Sequence, residues 1–181
     1  MWPETEVNLR DLMENMSHKA AKYNRKVDFG LRVHVVVRKT EEEAREYAES
    51  IISKLDFEAG QELKERALDA KSYGVSRQEQ MRGQSSRDGY VEPHLWTGIG
   101  KARSGCGAAL VGNPDQIVEK LNRYTDMGIR SFILSGYPHI DECNRFADLV
   151  LPRLETFSMP HLQGKIKKDI PLTPLANGIR I

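Results

Sequence analysis

The sequence predicts an α/β fold in which parallel strands alternate with helices. The segment 129–135 is a short, nearly all-apolar run, which is the pattern of a strand covered on both faces, and 29–38 also has the pattern of a strand. Apolar residues recur at helical spacing in the segments around them. The resulting order is helix, strand, helix, a long insertion, helix, strand and helix. Such a βαβα pattern pairs its strands in parallel.

Capping signals mark the first elements. A helix is predicted over 4–24 and a strand over 29–38. Thr40 followed by Glu43 is a capping box, which begins a helix at about 41–56. The stripe of this helix that we expect to be buried consists of Ala44, Ala48, Ile51, Ile52 and Leu55.

The next segment has weaker signals. One polar helix is predicted over 61–71, whereas 72–107 is rich in Gly, Ser, Arg and Gln and shows little periodicity. A loop of this length inside a compact domain is usually a functional lid or is disordered. We therefore expect an insertion that acts as a lid over about 58–107, between the two predicted strands.

Regular structure returns at 108–112, and the helix after it has clear ends. Asn113 is a good N-cap, Pro114 suits the first helical position, and Gly128 ends the helix. A last helix is predicted over about 140–154. We expect one domain over 1–155 and an extended C-terminal tail over 156–181 that wraps a surface or a neighbouring subunit.

The composition restricts the classes of function. The 181 residues suffice for one domain with a core, and 29% charged and 39% hydrophobic residues are typical of a globular protein. The net charge of +1 favours neither nucleic acid nor an anionic membrane as partner. Cys106 and Cys143 form neither a disulfide framework nor a zinc motif, and no metal is expected. No apolar run could span a bilayer and no signal peptide is recognisable, so a cytoplasmic protein is expected.

Two polar side chains stand out in the first strand, Leu31-Arg-Val-His-Val-Val-Val37. Strand alternation places Arg32 and His34 on one face, opposite the apolar residues. A cation beside an imidazole on so apolar an element is costly to bury without partners, which indicates an anion-binding or catalytic wall. The alternative is a salt-bridged arginine beside a hydrogen-bonded core histidine.

The second strand leads into Tyr137-Pro-His139. In parallel α/β folds the functional groups gather at the carboxyl ends of the strands, so we expect these rings near Arg32 and His34. Arg103 in the insertion could add a further positive charge. Such a set suits an anionic head group, because arginine offers a fork of donors to oxyanions. For His139, capping of the following helix is the alternative.

Three motifs together resemble bacterial alkanesulfonate monooxygenase, a reduced-flavin-dependent branch of the bacterial luciferase-like superfamily. They are Leu31-Arg-Val-His-Val-Val-Val-Arg38, Gly98-Ile-Gly with Gly107-Ala-Ala-Leu-Val-Gly112, and Ser131-Phe-Ile-Leu-Ser-Gly-Tyr-Pro-His139. The resemblance runs from about residue 2 to 154. It implies the C-terminal portion of a (β/α)₈ TIM barrel with a long insertion between the last two strands. A complete barrel needs about 250 residues.

The resemblance also implies a reaction. In that family, reduced FMN and O₂ cleave the carbon–sulfur bond of an alkanesulfonate to give an aldehyde and sulfite, and an NAD(P)H-dependent FMN reductase is the partner. A homo-oligomer is implied as well. Because most flavin-contacting residues belong to the part of the family fold that has no counterpart here, they cannot be assigned.

Site roles follow by resemblance. Arg32 would clamp the sulfonate and stabilise the flavin–oxygen adduct, His34 would contact the sulfonate or relay a proton, and Tyr137 would donate a hydrogen bond to the substrate or the adduct. These three are the expected catalytic residues. The expected substrate-binding residues are Trp2, Arg103 and His139.

Two other functions stay open. The chain could be an inactive fragment or assembly module that keeps the fold but binds no flavin. It could also belong to a related luciferase-like enzyme with a different substrate, such as a sulfone or a long alkane.

Overall fold

A computed structural model describes residues 1–66, 72–101 and 105–156, which form a mixed sheet with helices on both faces. The helices are α1 (Glu6–Ala21), α2 (Glu41–Ile52), α3 (Phe57–Arg66), α4 (Tyr73–Gly83), α5 (Pro114–Asp126) and α6 (His139–Leu149), with 3₁₀ turns at Gly98–Lys101 and Leu151–Arg153. The strands are β1 (Phe29–Val37), β2 (Tyr90–Glu92), β3 (Leu95–Trp96), β4 (Ala109–Gly112) and β5 (Ile129–Ser135).

The sheet has the strand order β2-β3-β4-β1-β5. The two long strands, β1 and β5, are neighbours and run parallel, as the sequence predicts, and β4 lies parallel to the other edge of β1. The expectation of only two strands is wrong. The described ranges contain five, and β2 and β3 pair antiparallel, so the sheet is mixed. These extra strands have two to four residues, too few for alternation to show in the sequence.

Each face of β1 packs against a different set of elements. Leu31, Val33, Val35 and Val37 are buried on one face, as the alternation predicts. They form a core cluster with residues of α1 and α5, namely Leu9, Met13, Ile117, Leu121 and Tyr124. On the other face, the carboxyl half of the sheet packs against α2 through Val36, Ala44, Ala48, Ala109 and Val111.

The predicted capping signals form. Thr40 and Glu43 make a complete capping box at the start of α2. The Asn113 side chain accepts from the backbone N–H of Gln116 at the start of α5, and the Gln116 side chain accepts from the backbone N–H of Asn113. The two hydrogen bonds form a second capping box. Gly128 follows α5 with φ +103°, a conformation that favours glycine.

Several predicted boundaries shift. The first helix is shorter than 4–24 and buries Leu9 and Met13, whereas Val7 and Met16 remain exposed. The polar helix predicted over 61–71 begins earlier, at Phe57, and is described as far as Arg66, since 67–71 lie outside the described residues. The last helix ends at Leu149, before a 3₁₀ turn. One turn of a 3₁₀ helix continues the helical pattern of the sequence, which explains the longer prediction.

The insertion is more ordered than its composition predicts, because α4 is fixed to the N-terminal segment. Buried Gln78 donates to the Pro3 carbonyl at 2.6 Å and accepts from the Gly107 N–H at 3.0 Å. Arg77 binds both carboxylate oxygens of Glu4, each at 3.1 Å. The interpretation of 72–107 as a loop is therefore wrong at α4, β2 and β3.

In the described part of the chain the sheet is open at β5, which pairs only with β1. On the face that carries Arg32, β5 is uncovered at Ser131 and at Ile133, which is 65% exposed. A closed barrel therefore remains an expectation from the resemblance. Residues 102–104, which include Arg103, and the predicted tail beyond 156 lie outside the described residues. None of the described helices has the length and apolar character that a bilayer crossing requires.

A buried ion-pair network ties α1, β2 and α5 together. Lys120, 4% exposed, contacts Glu6 at 2.6 Å and Glu92 at 2.7 Å. Arg123 adds a contact to Glu6 at 2.6 Å. Burial alone would raise the pKa of Glu6, but hydrogen bonds from Arg123 and Lys120 outweigh it and hold that pKa below the ordinary value of 4.5.

This network predicts acid-sensitive stability. A carboxyl group whose pKa is lowered by folding contributes stability that is present above its unfolded pKa and is lost as the pH falls through the folded pKa. We expect the free energy of unfolding to fall as the pH drops below 4.5, and Glu6→Gln to be less stable at neutral pH but to lose less on acidification. Urea unfolding at a series of pH values measures both effects. Glu14→Gln, on the exposed side of α1, is the control; an equal acid loss in Glu6→Gln and wild type would contradict the prediction.

Candidate active site

Arg32 and His34 lie two residues apart on β1 and share one face, as predicted. Their surroundings differ. His34 is 2% exposed, because the carboxyl half of this face is covered, whereas Arg32 is exposed where the face is open. Strand alternation thus places one buried imidazole and one accessible guanidinium on a single wall.

His34 lies within a small polar cluster at the carboxyl ends of β1 and β5. The parallel register pairs it with Ser135, and the Ser135 Oγ lies 2.8 Å from His34 Nδ1. The Tyr137 ring centroid is 5.4 Å from that of His34, and the His139 ring is 4.9 Å from Tyr137. The structure therefore brings together the three rings that the sequence singled out.

Trp2 reaches the Arg32 side of the sheet through a short extension of the ladder. The Met1 amino group donates to the Gly30 carbonyl at 2.5 Å, and the Met1 carbonyl accepts from the Arg32 N–H at 2.9 Å. This is a parallel bridge, so the next side chain, Trp2, points to the face of Arg32. Its ring lies over Gly74, where a Cβ would come within 2.8 Å of it.

A groove of about 500 Å³ has both Trp2 and Arg32 in its wall. Its lining includes Trp2, Arg32, Tyr73, Arg77 and Gln78. The Arg77 charge is neutralised by Glu4. Among the described residues no ion pair of Arg32 is found, and its guanidinium is the groove cation best placed to meet an added anion.

His139 is the first residue of α6 and does not cap this helix with its side chain. Its Nδ1 contacts the Gly136 carbonyl, in the loop before the helix. Its ring also lies against Tyr137, at the edge of a second cavity of about 390 Å³ bounded by Val35 and Leu134. Arg103 cannot be placed, since it lies outside the described residues.

Two groups near the site were not predicted as functional. Ser135 holds His34, and the buried thiol of Cys106 donates to the Arg32 carbonyl at 3.4 Å. Alternation from Ser131 would have placed Ser135 on the same face as Ile133, but only the strand register shows that it meets His34.

The donor set suits an anion more than a metal ion. A guanidinium, an imidazole and a phenol offer N–H and O–H groups to oxygen atoms. Within the described ranges there is no group of three or more His, Cys, Asp or Glu that could hold a metal.

Comparison with known families gives a match over most of the chain. Residues 1–131 match the model of the luciferase-like monooxygenases, and this range includes all of β1 and the groove. The chain belongs to the luciferase-like monooxygenase family. The family model does not distinguish the enzymes within the family.

Two curated relatives are similar to the chain over most of its length. It is 56% identical over 180 residues to a protein of Agrobacterium fabrum named sulfoquinovose monooxygenase, a match that covers 99% of this chain and 47% of the relative. A protein of the same name from Novosphingobium aromaticivorans is 56% identical over 154 residues, or 85% of this chain and 42% of the relative. The chain spans about half the length of these curated relatives.

The contact between Ser135 and His34 can be tested in this luciferase-like chain. We expect Ser135→Ala to shift the ¹⁵N resonance of His34 Nδ1, because the nitrogen loses its hydrogen-bond partner, and to cost about 1 kcal/mol of stability. Nitrogen-detected NMR of histidine-labelled protein and thermal unfolding measure the two effects. Ser131→Ala, in the same strand on the same face, should leave the resonance unchanged. A shift of equal size in both variants would contradict a hydrogen bond between Ser135 and His34.

Proposed function

We propose that this chain supplies the sulfonate-binding wall of a reduced-flavin-dependent monooxygenase that cleaves a carbon–sulfur bond. One observation carries the proposal: the Arg32 guanidinium lines a groove without an ion-pair partner among the described residues, on the same face as the His34 and Tyr137 rings. A sulfonate is an oxyanion that a guanidinium fork binds with two parallel hydrogen bonds.

The hydrogen-bonding groups of His34 and Tyr137 also suit the polar edge of a flavin. The polar edge of a flavin accepts and donates hydrogen bonds, and the neighbouring rings of His34 and Tyr137 carry groups of that kind. These two residues with Arg32 would face reduced FMN, which supplies electrons and activates O₂ when bound. Further flavin contacts belong to other parts of the enzyme.

Each residue of the wall has a proposed role. Arg32 binds and orients the sulfonate oxygens. Ser135 holds the imidazole of His34, and the proposed role of His34 is to exchange a proton with the bound oxygen atoms. Tyr137 donates a hydrogen bond from its phenol, and His139 lies beside it. Trp2 forms the apolar side of the groove.

The preferred substrate in this proposal is a sulfosugar. The relatives at 56% identity are named sulfoquinovose monooxygenases. The groove is compatible, because the aromatic rings of Trp2 and Tyr73 next to a cation suit the C–H faces and the sulfonate of such a sugar. A simple alkanesulfonate presents the same anionic head and remains the comparison substrate. A sulfone or an alkane would leave Arg32 without an anion to bind.

We propose that activity requires further strands of a (β/α)₈ barrel. The open edge of β5 and the uncovered face at Ile133 offer a place for them. An NAD(P)H-dependent FMN reductase and assembly into a homo-oligomer complete the proposal.

Sulfite release tests this function. The chain is co-expressed with the part of the Agrobacterium fabrum relative that lies outside the match, and supplied with FMN, a reductase, NADH and either sulfoquinovose or a short alkanesulfonate. We expect sulfite from sulfoquinovose, with less from the alkanesulfonate. Arg32→Ala should lower kcat/KM by about 100-fold, the usual effect of removing one oxyanion donor.

Arg130→Ala is the matched control, because Arg130 is an exposed arginine of β5 that does not line the groove. It should retain wild-type kcat/KM. Absence of sulfite from both substrates with a correctly assembled complex would favour the inactive-module alternative, and equal effects of the two arginine variants would remove Arg32 from the site.

A further inference from the structure

The loop that carries Tyr137 is held by a group that the proposed chemistry does not use. The phenol of Tyr47, in α2, donates to the backbone carbonyl of Tyr137 at 3.0 Å. Tyr47 thereby connects α2 to the loop between β5 and α6. The hydrogen bond is made to the backbone, so it acts on the position of residue 137 whatever its side chain touches.

Tyr47 is itself held by Arg38, the residue directly after β1. The guanidinium carbon of Arg38 lies 3.6 Å from the centroid of the Tyr47 ring. A planar guanidinium on an aromatic face is a favourable cation–π arrangement. The contact fixes the plane of the ring and therefore the direction of its hydroxyl group.

Arg38 is fixed in turn by Glu142 of α6. Its two terminal nitrogens bind the two carboxylate oxygens at 3.0 and 2.8 Å, and one of them also donates to the Val37 carbonyl at 2.7 Å. The side chains of Arg38 and Glu142 are only 10% and 3% exposed. Burying such a pair costs desolvation energy that its attraction does not always repay, and geometric specificity is one established use of such pairs.

Glu142 also packs directly against the loop. A Cβ at position 136 would lie 2.5 Å from the Glu142 Cβ and 3.1 Å from the Val35 carbonyl, so only glycine allows this approach. The loop thus contacts both Glu142 and Tyr47, and these two side chains are linked through Arg38.

We infer that Tyr47 is a positioning residue, which Arg38 and Glu142 orient and which keeps the Tyr137 ring beside His34. The relevance of Tyr47 to catalysis rests on the proposed function. The effect of Tyr47 on the position of the Tyr137 ring does not, because the 5.4 Å separation of the Tyr137 and His34 rings can be measured without substrate or flavin.

The test compares Tyr47→Phe with Tyr90→Phe. Tyr47→Phe keeps the ring on Arg38 and removes only the hydroxyl donor to the Tyr137 carbonyl. Tyr90 is the matched control, because its ring lies over another arginine, Arg45, with 4.2 Å between guanidinium carbon and centroid. No hydrogen bond from the Tyr90 hydroxyl to the Tyr137 loop is found in the described structure.

The first readout is the nuclear Overhauser cross-peak between the ring protons of His34 and Tyr137 in the full chain. We expect it in wild type and in Tyr90→Phe, and we expect its loss in Tyr47→Phe, with both variants folded by circular dichroism. Retention of the full cross-peak in Tyr47→Phe overturns the inference. If Tyr47→Phe does not fold, Arg38→Lys replaces it, since lysine keeps the charge opposite Glu142 and loses the planar stacking; a full cross-peak there overturns the inference equally.

The second readout is activity in the co-expressed complex. We expect Tyr47→Phe to lower kcat for sulfite release by about tenfold. Misplacing a catalytic group by 1 Å can lower the rate by about 100-fold, and this effect should be smaller. KM for the sulfonate should stay at the wild-type value, since Arg32 is untouched, and Tyr90→Phe should change neither constant. If Tyr47→Phe loses the cross-peak and neither wild type nor any variant releases sulfite, the positioning role is upheld and the proposed function is rejected.

Discussion

The parallel pairing of β1 with β5 is the constraint on which the site depends. In this register, His34 meets Ser135 and the following loop returns Tyr137 over the imidazole. A slip of one residue would turn His34 towards the helices on the other face, where Leu31 and its neighbours now form the core. The core and the polar wall therefore specify the same register, one by burial and the other by hydrogen bonding.

Local patterns were sufficient to predict the groups on the wall but not their partners. Alternation in β1 identified Arg32 and His34 as neighbours on one face, and capping residues such as Thr40 located the helices. Each of these signals lies within a few residues of the feature it predicts. The family resemblance added Trp2, which the structure places in the groove with Arg32.

What the sequence could not show depends on contacts between distant residues. Arg38 and Glu142 are 104 positions apart, and each alone resembles an ordinary charged residue at the end of an element. The insertion was misjudged for a related reason. Val75 and Met81 are the apolar side chains that α4 buries. The helix is fixed largely by the hydrogen bonds of Arg77 and Gln78 to the N-terminal segment, and such polar contacts leave no periodic pattern in the sequence.

In the proposed function, the open face of the sheet is where the wall would need the rest of the fold for chemistry. The attraction between Arg32 and a sulfonate at 4 Å is worth about 1 kcal/mol in water and about 4 kcal/mol in the lower dielectric near a protein surface. Arg32 is exposed where the face lacks a cover, whereas His34, two residues on, is almost fully buried. Strands that covered Ile133 and the groove would exclude water from Arg32, and in the proposed enzyme the attraction between its guanidinium and a sulfonate would then be stronger.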